Sequence, residues 1–230
     1  MDDPTPPGPP HLADPRAIQI LSTEHWSLLT ARSLVYNETF TRGGMFLTLL
    51  SASLVALGFA YQGSGGGPDF PLIVVAVLAL DLFVGVATLG RIIGAELEEF
   101  RALQGMNRIR HAYLEMNPGL APYFSTSRFD DAIGVLEAYG PPPSTASMSR
   151  SLLHGLTTMV GMVSILVAAI AGALAGSIVV AVVSDSRLAL IVGVLVGLTV
   201  AGLTSAWAVR TFGGNALALE VRFPRPSDET

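Results

Sequence analysis

A single carboxylate, Asp81, stands near the middle of a nearly all-apolar run from Phe70 to Ile93. That run is about 24 residues, long enough as a helix to cross a hydrocarbon core of about 30 Å. An ionisable side chain at such depth costs about 2.5–3.5 kcal/mol on insertion scales, so something must offset it. Counting residues from the ends of the other apolar runs places Ser51, Ser53 and Thr199 at a similar depth, with Ser164 somewhat nearer one end. Together these groups offer a site that binds and releases a proton or a cation. The alternative is a neutral, hydrogen-bonded carboxyl that fixes how helices pack, because apolar surroundings disfavour the charged form. No basic residue shares the depth of Asp81, so an ion pair has no partner there.

A second constellation is polar. Arg108, Arg110 and His111 fall within one helical turn. Such a cluster suits an anionic lipid headgroup or a phosphorylated ligand. The plainer reading is a solvated face, or pairing with acids of the same segment. Trp26, Arg32 and Tyr113 join these three as a candidate interaction surface. Asp130 and Asp131 resemble a metal pair only superficially: neighbours on a helix point about 100° apart, and acids near a helix start are favoured by the dipole alone. His154, near one end of a third apolar run, reads as an interfacial polar group.

Other chemistry finds no residues to carry it. The chain has no cysteine, which excludes disulfides, thiol catalysis and cysteine metal sites. Gly63, Gly65, Gly66 and Gly67 lack the Lys-Ser/Thr of a phosphate loop, and no hydrolase or zinc-protease motif is present. No catalytic residue, metal site or cofactor is expected, and an enzyme has no support. A net charge of −5 gives no case for nucleic acid.

The elements that would position these residues follow from charge and hydropathy. Only 13% of the 230 residues are charged, against about 25% in soluble domains. The charge-poor stretches predict an all-α, polytopic membrane protein: two transmembrane helical hairpins with a helical cytoplasmic segment between them. Residues 1–21, rich in proline, are expected to form a disordered tail. Residues 22–93 hold a pre-membrane helix, capped by Ser22 or Thr23, and spans at about 43–61 and 70–93. Residues 94–150 form the cytoplasmic segment, with a helix from Ala95 to Met116 ended by Asn117-Pro118-Gly119. A shorter helix follows, capped near Ser125–Ser127, with Phe129, Ile133 and Leu136 inward. Residues 151–210 hold spans at about 157–183 and 188–209, and residues 211–230 form a loose cytoplasmic tail. Small residues at four-residue steps predict close helix approach at Ala52, Ala56 and Ala60, at Ala168, Gly172 and Gly176, and at Gly193, Gly197, Ala201 and Ser205.

All 13 basic residues are arginines, and only Arg187 falls on the side opposite the termini. The positive-inside rule therefore puts both termini and the central segment in the cytoplasm. Two stretches, Glu24-His25-Trp26-Ser27-Leu28-Leu29 continuing to Glu38, and Gly105 to Leu114 continuing through Pro122-Tyr123-Phe124, carry a likeness. They resemble an uncharacterised actinobacterial family of four-span integral membrane proteins. That resemblance implies a bacterial plasma (inner) membrane location and no activity. The expected partners are the lipid bilayer, anionic headgroups, further copies in a homo-oligomer and an unknown cytosolic protein. The expected role is a non-enzymatic module presenting its cytoplasmic layer; the alternative is a small ion channel or proton-linked transporter using Asp81.

Overall fold

The computed structural model describes Leu12 and residues 14–139, 158–217 and 220–226. His154, the first residue of the third predicted span and most of the N-terminal tail lie outside the described residues. The described residues contain five α-helices and no strand: α1 (Pro15–Ser64), α2 (Phe70–Met116), α3 (Ala132–Leu136), α4 (Met159–Val183) and α5 (Ser186–Leu217). Short 3-10 turns occupy Pro118–Tyr123 and Glu137–Tyr139. Helices α1, α2, α4 and α5 are each long and apolar enough to cross a membrane.

Several boundaries differ from expectation. Helix α1 starts at Pro15, not at Ser22. Asp14 accepts from the Arg16 amide at 2.8 Å, and a proline fits the first helical position; this Asp-Pro pair outcompetes the later serine and threonine. Helix α3 starts after Asp131, whose carboxylate accepts from the Gly134 amide at 2.7 Å. The serines near 125 therefore cap nothing there, and the two aspartates precede the helix instead of filling its first turn. Helix α5 continues past Arg210 to Leu217, so the C-terminal stretch is less loose than its prolines suggest.

The chain divides into two compact units. The apolar unit comprises Tyr36–Leu97 together with the described residues from Thr158 to Asn215. Phe46, Leu78, Leu89, Ile92, Val163, Val167 and Ile170 form its core. Gly85 has Phe46 of α1 and Val167 of α4 against it: a Cβ there would meet both at about 3 Å. Helix α1 turns Gly43, Phe46 and Ser53 inward, while Ala52 and Ala56 are exposed. Of the alanine stripe predicted on α1, Ala52 and Ala56 thus face out and Ala60 is half-buried, because the bulk of Phe46 and the polarity of Ser53 set the rotation. Helices α4 and α5 do approach on their small residues. A Cβ on Gly172 would stand 2.6 Å from the Gly193 carbonyl oxygen, and one on Gly193 would stand 2.9 Å from that of Gly172. Only glycine allows backbones this close. At one end of the unit, Glu38 accepts from Arg42 at 2.7 Å and from Arg91 at 2.9 Å, tying α1 to α2. Those two guanidiniums hold its carboxyl down to about 2.

The polar unit comprises the described chain up to Val35, Glu98 to Tyr139 and residues from Ala216 on. Phe100, Leu103 and Val135 form its small core, and Met106, Ile109 and Phe129 are also buried. Ile133 and Leu136, predicted to face inward, are exposed; Val135 takes the buried place between them. In a helix this short, docking of its neighbours chooses the face, not the apolar pattern.

Candidate functional site

Two clusters hold the residues singled out from the sequence. In the apolar unit, Asp81 is 0% exposed. Its Oδ1 accepts a hydrogen bond from the Ser53 hydroxyl of α1 at 2.8 Å. Other hydroxyls of the apolar helices behave differently. Thr48, Ser51, Ser177 and Thr199 each donate to the carbonyl four residues earlier in their own helix, the usual refuge of such a group. Ser53 alone among these diverts its proton to a carboxyl. Ser51 and Thr199 are exposed, so of the three hydroxyls predicted around Asp81 the structure brings only Ser53 to it. Ser164 is buried on α4. The second oxygen of Asp81, Oδ2, is buried with no hydrogen-bond partner among the described residues. A buried acceptor without a partner costs about 1–3 kcal/mol.

A groove of about 880 Å³ also opens in this unit, along Ala168, Gly172, Ala173, Gly193 and Gly197 with Phe70 of α2 beside them. Asp81 does not line it, and neither does any other titratable residue. Its chemistry suits hydrocarbon chains.

In the polar unit, α2 supplies a row of buried polar side chains. Asn107 is fully buried and donates to the Phe129 carbonyl at 2.8 Å. Gln104 donates to the carbonyls of Asp130 and Glu220 at 3.1 and 3.2 Å. Arg108 pairs with Asp130 at 2.7 Å and also donates to the Glu220 carbonyl. Asp130, 0% exposed, in turn accepts from the backbone amides of Arg222 and Phe223 at 3.0 and 2.8 Å. Asp131 accepts from the Arg225 amide at 3.0 Å, and the Arg225 side chain reaches Glu137 at 2.5 Å. The His111 ring stacks on Phe223 with centroids 4.2 Å apart. Residues 220–226, which bend at Arg222 and Phe223, are thus held on the layer formed by α2 and α3. Burial pushes the Asp130 carboxyl up, but the Arg108 pair and the two amides outweigh it and leave it below the ordinary carboxylate range.

The predicted surface therefore separates into parts. Arg108 and His111 are occupied within the fold. Tyr113 is half-buried and hydrogen-bonded to Ser22; burial pushes its phenol up and the Ser22 bond opposes this. Arg32 pairs with Glu99 at 2.7 Å. Arg110 is buried. Trp26 is the one predicted contact residue that stands free, 64% exposed, with Leu29 and Ile18 exposed on the same face of α1. Nothing in the sequence marks the part played by Asp130: two of its partners, the Arg222 and Phe223 amides, lie about ninety residues away, and an Asp-Asp pair carries no mark of that distance. Among the described residues, no group of three or more His, Asp or Glu side chains is placed to hold a metal ion. Comparison with protein-family models, with curated proteins and with solved structures yields no match for this chain.

Proposed function

We propose that this chain is a multi-pass protein of a bacterial plasma membrane, with two transmembrane hairpins and both termini in the cytoplasm. Its role is non-enzymatic: it presents the polar unit, as a homo-oligomer, to a cytosolic protein. The arginine distribution supports the orientation, and the resemblance of the Glu24–Glu38 and Gly105–Phe124 stretches supports the bacterial setting. One observation carries the role. Most of the polar side chains on α2 that could do chemistry are spent inside the fold, whereas Ile18, Trp26 and Leu29 leave an apolar face of α1 uncovered in the same unit. Exposed aromatic anchors of this kind are typical of binding hot spots. A photo-reactive residue, Trp26→benzoylphenylalanine, is expected to give discrete protein adducts in cells, and Leu29→Glu is expected to abolish them. Adducts with lipid alone, or none, would remove the docking role.

The unpartnered Oδ2 of Asp81 favours one second reading, a proton-linked transport path. Under that reading Asp81→Asn lowers proton flux at least tenfold in vesicles loaded with a pH dye. Equal flux at equal protein level leaves Asp81 as a packing device.

A further inference from the structure

Arg110 is the unexplained charge of the polar unit. It is only 9% exposed, yet among the described residues no carboxylate pairs with it. Its one hydrogen-bond partner among the described residues is neutral: Nη1 donates to Oδ1 of Asn107 at 2.5 Å. Asn107 is itself fixed by its bond to Phe129, so the arrangement is a built one. A neutral amide offsets less of the desolvation cost of a guanidinium than a carboxylate would.

The surroundings add positive charge. Helix α1 crosses α2 in antiparallel register: Arg32 meets Glu99, Leu28 packs against Gly105, and Ser22 bonds to Tyr113. That register sets His25 opposite Arg110. Burial first, and then the Arg110 charge, disfavours protonation of His25; burial and then Arg32 act likewise on Arg110. The Nδ1 of His25 is buried with no partner among the described residues. Among the described residues Glu99 is the one carboxylate bonded to any of these three bases, and Arg32 already holds it.

We propose that Arg110, with His25 opposite it, binds a phosphate group. A guanidinium and an imidazole offer the fork-shaped and single donors that tetrahedral oxyanions take. This site goes beyond the docking role and does not depend on it. The group is either a free phosphate or the headgroup of an anionic lipid.

The test uses the full chain in maltoside micelles, which contain no phosphate, and reads the midpoint of thermal unfolding. Inorganic phosphate or phosphatidylglycerol, at about a hundred times its Kd, is expected to raise the midpoint by about 5–10 °C, while chloride at the same ionic strength does not. A rise with inorganic phosphate alone assigns a soluble ligand; a rise with the lipid alone assigns a headgroup. Arg110→Met is expected to weaken binding about a hundredfold. His25→Gln, at a partly exposed position, is expected to weaken binding about tenfold and keeps the test open if Arg110→Met does not fold. No rise in the native chain with either phosphate source, or an undiminished rise in both variants, would overturn the site.

Discussion

Gly172→Leu is expected to lower the midpoint of thermal unfolding by about 6–12 °C, the equivalent of about 3 kcal/mol. The reason is the backbone, not the side chains. A Cβ at this position would already stand 2.6 Å from the Gly193 carbonyl oxygen, closer than real Cβ atoms come. A carbonyl cannot swing aside as a side chain can, so α4 and α5 must separate. Separation then opens the contacts of Gly176 with Ala189 and of Gly197 with Ala168 as well. Gly172→Ala should show a smaller loss of the same sign. The control is Gly202→Ala on α5, where a Cβ meets nothing within 4 Å. That change should be neutral or gain up to about 1 kcal/mol from helix propensity. Equal midpoints for Gly172→Leu and Gly202→Ala would show that the close approach of α4 and α5 contributes nothing.

The second large effect lies in the polar unit. Asp130→Ala is expected to cut the hydrogen-exchange protection of the Arg222 and Phe223 amides about a hundredfold, or about 2.7 kcal/mol. The substitution removes the acceptor of both amides and the partner of Arg108 together. Asp130→Asn keeps an acceptor but loses the charge, and should fall between. The sign of the pH dependence follows from the lowered carboxyl. A depressed folded-state value means that the stabilisation is fully present above the ordinary aspartate value. It is lost as pH falls from there through the lower, folded value. Protection that vanished already near neutral pH would mean that Asp130 does not hold the segment.

How legible this fold was depends on the kind of signal. Hydropathy marks the four long helices because a run without charge has few other uses at that length. Glycine spacing marks the approach of α4 to α5 because glycine is otherwise unfavourable inside a helix. Rotation is another matter. On α1 both the alanine stripe and the Gly43–Phe46–Ser53 face are apolar or small, so periodicity carries no phase. The choice falls to Phe46 filling the space beside Gly85 and to Ser53 meeting Asp81. For the same reason depth alone could not tell Ser53 from Ser51, two residues away on another face. In the polar unit, Arg108 was legible as a cation and Asp130 as an acid, but their meeting, and the segment they clasp, depend on contacts far apart in the chain. Arg110 illustrates the limit from the other side. As sequence it is one of three bases in a turn; only burial without a countercharge distinguishes it from Arg108.

The clasp on residues 220–226 also orders events in time. Those residues leave the ribosome after every helix, some eighty residues behind Tyr139. At ordinary synthesis rates of about 5–20 residues per second, that gap lasts about 4–16 seconds. Throughout it the nascent chain carries Asp130 without the Arg222 and Phe223 amides, and Gln104 without the Glu220 carbonyl. The polar unit is therefore built early and sealed late, after α4 and α5 have been made. Quality-control proteases and chaperones would meet it in its open form first, and a chain stalled within α5 would never present the closed one.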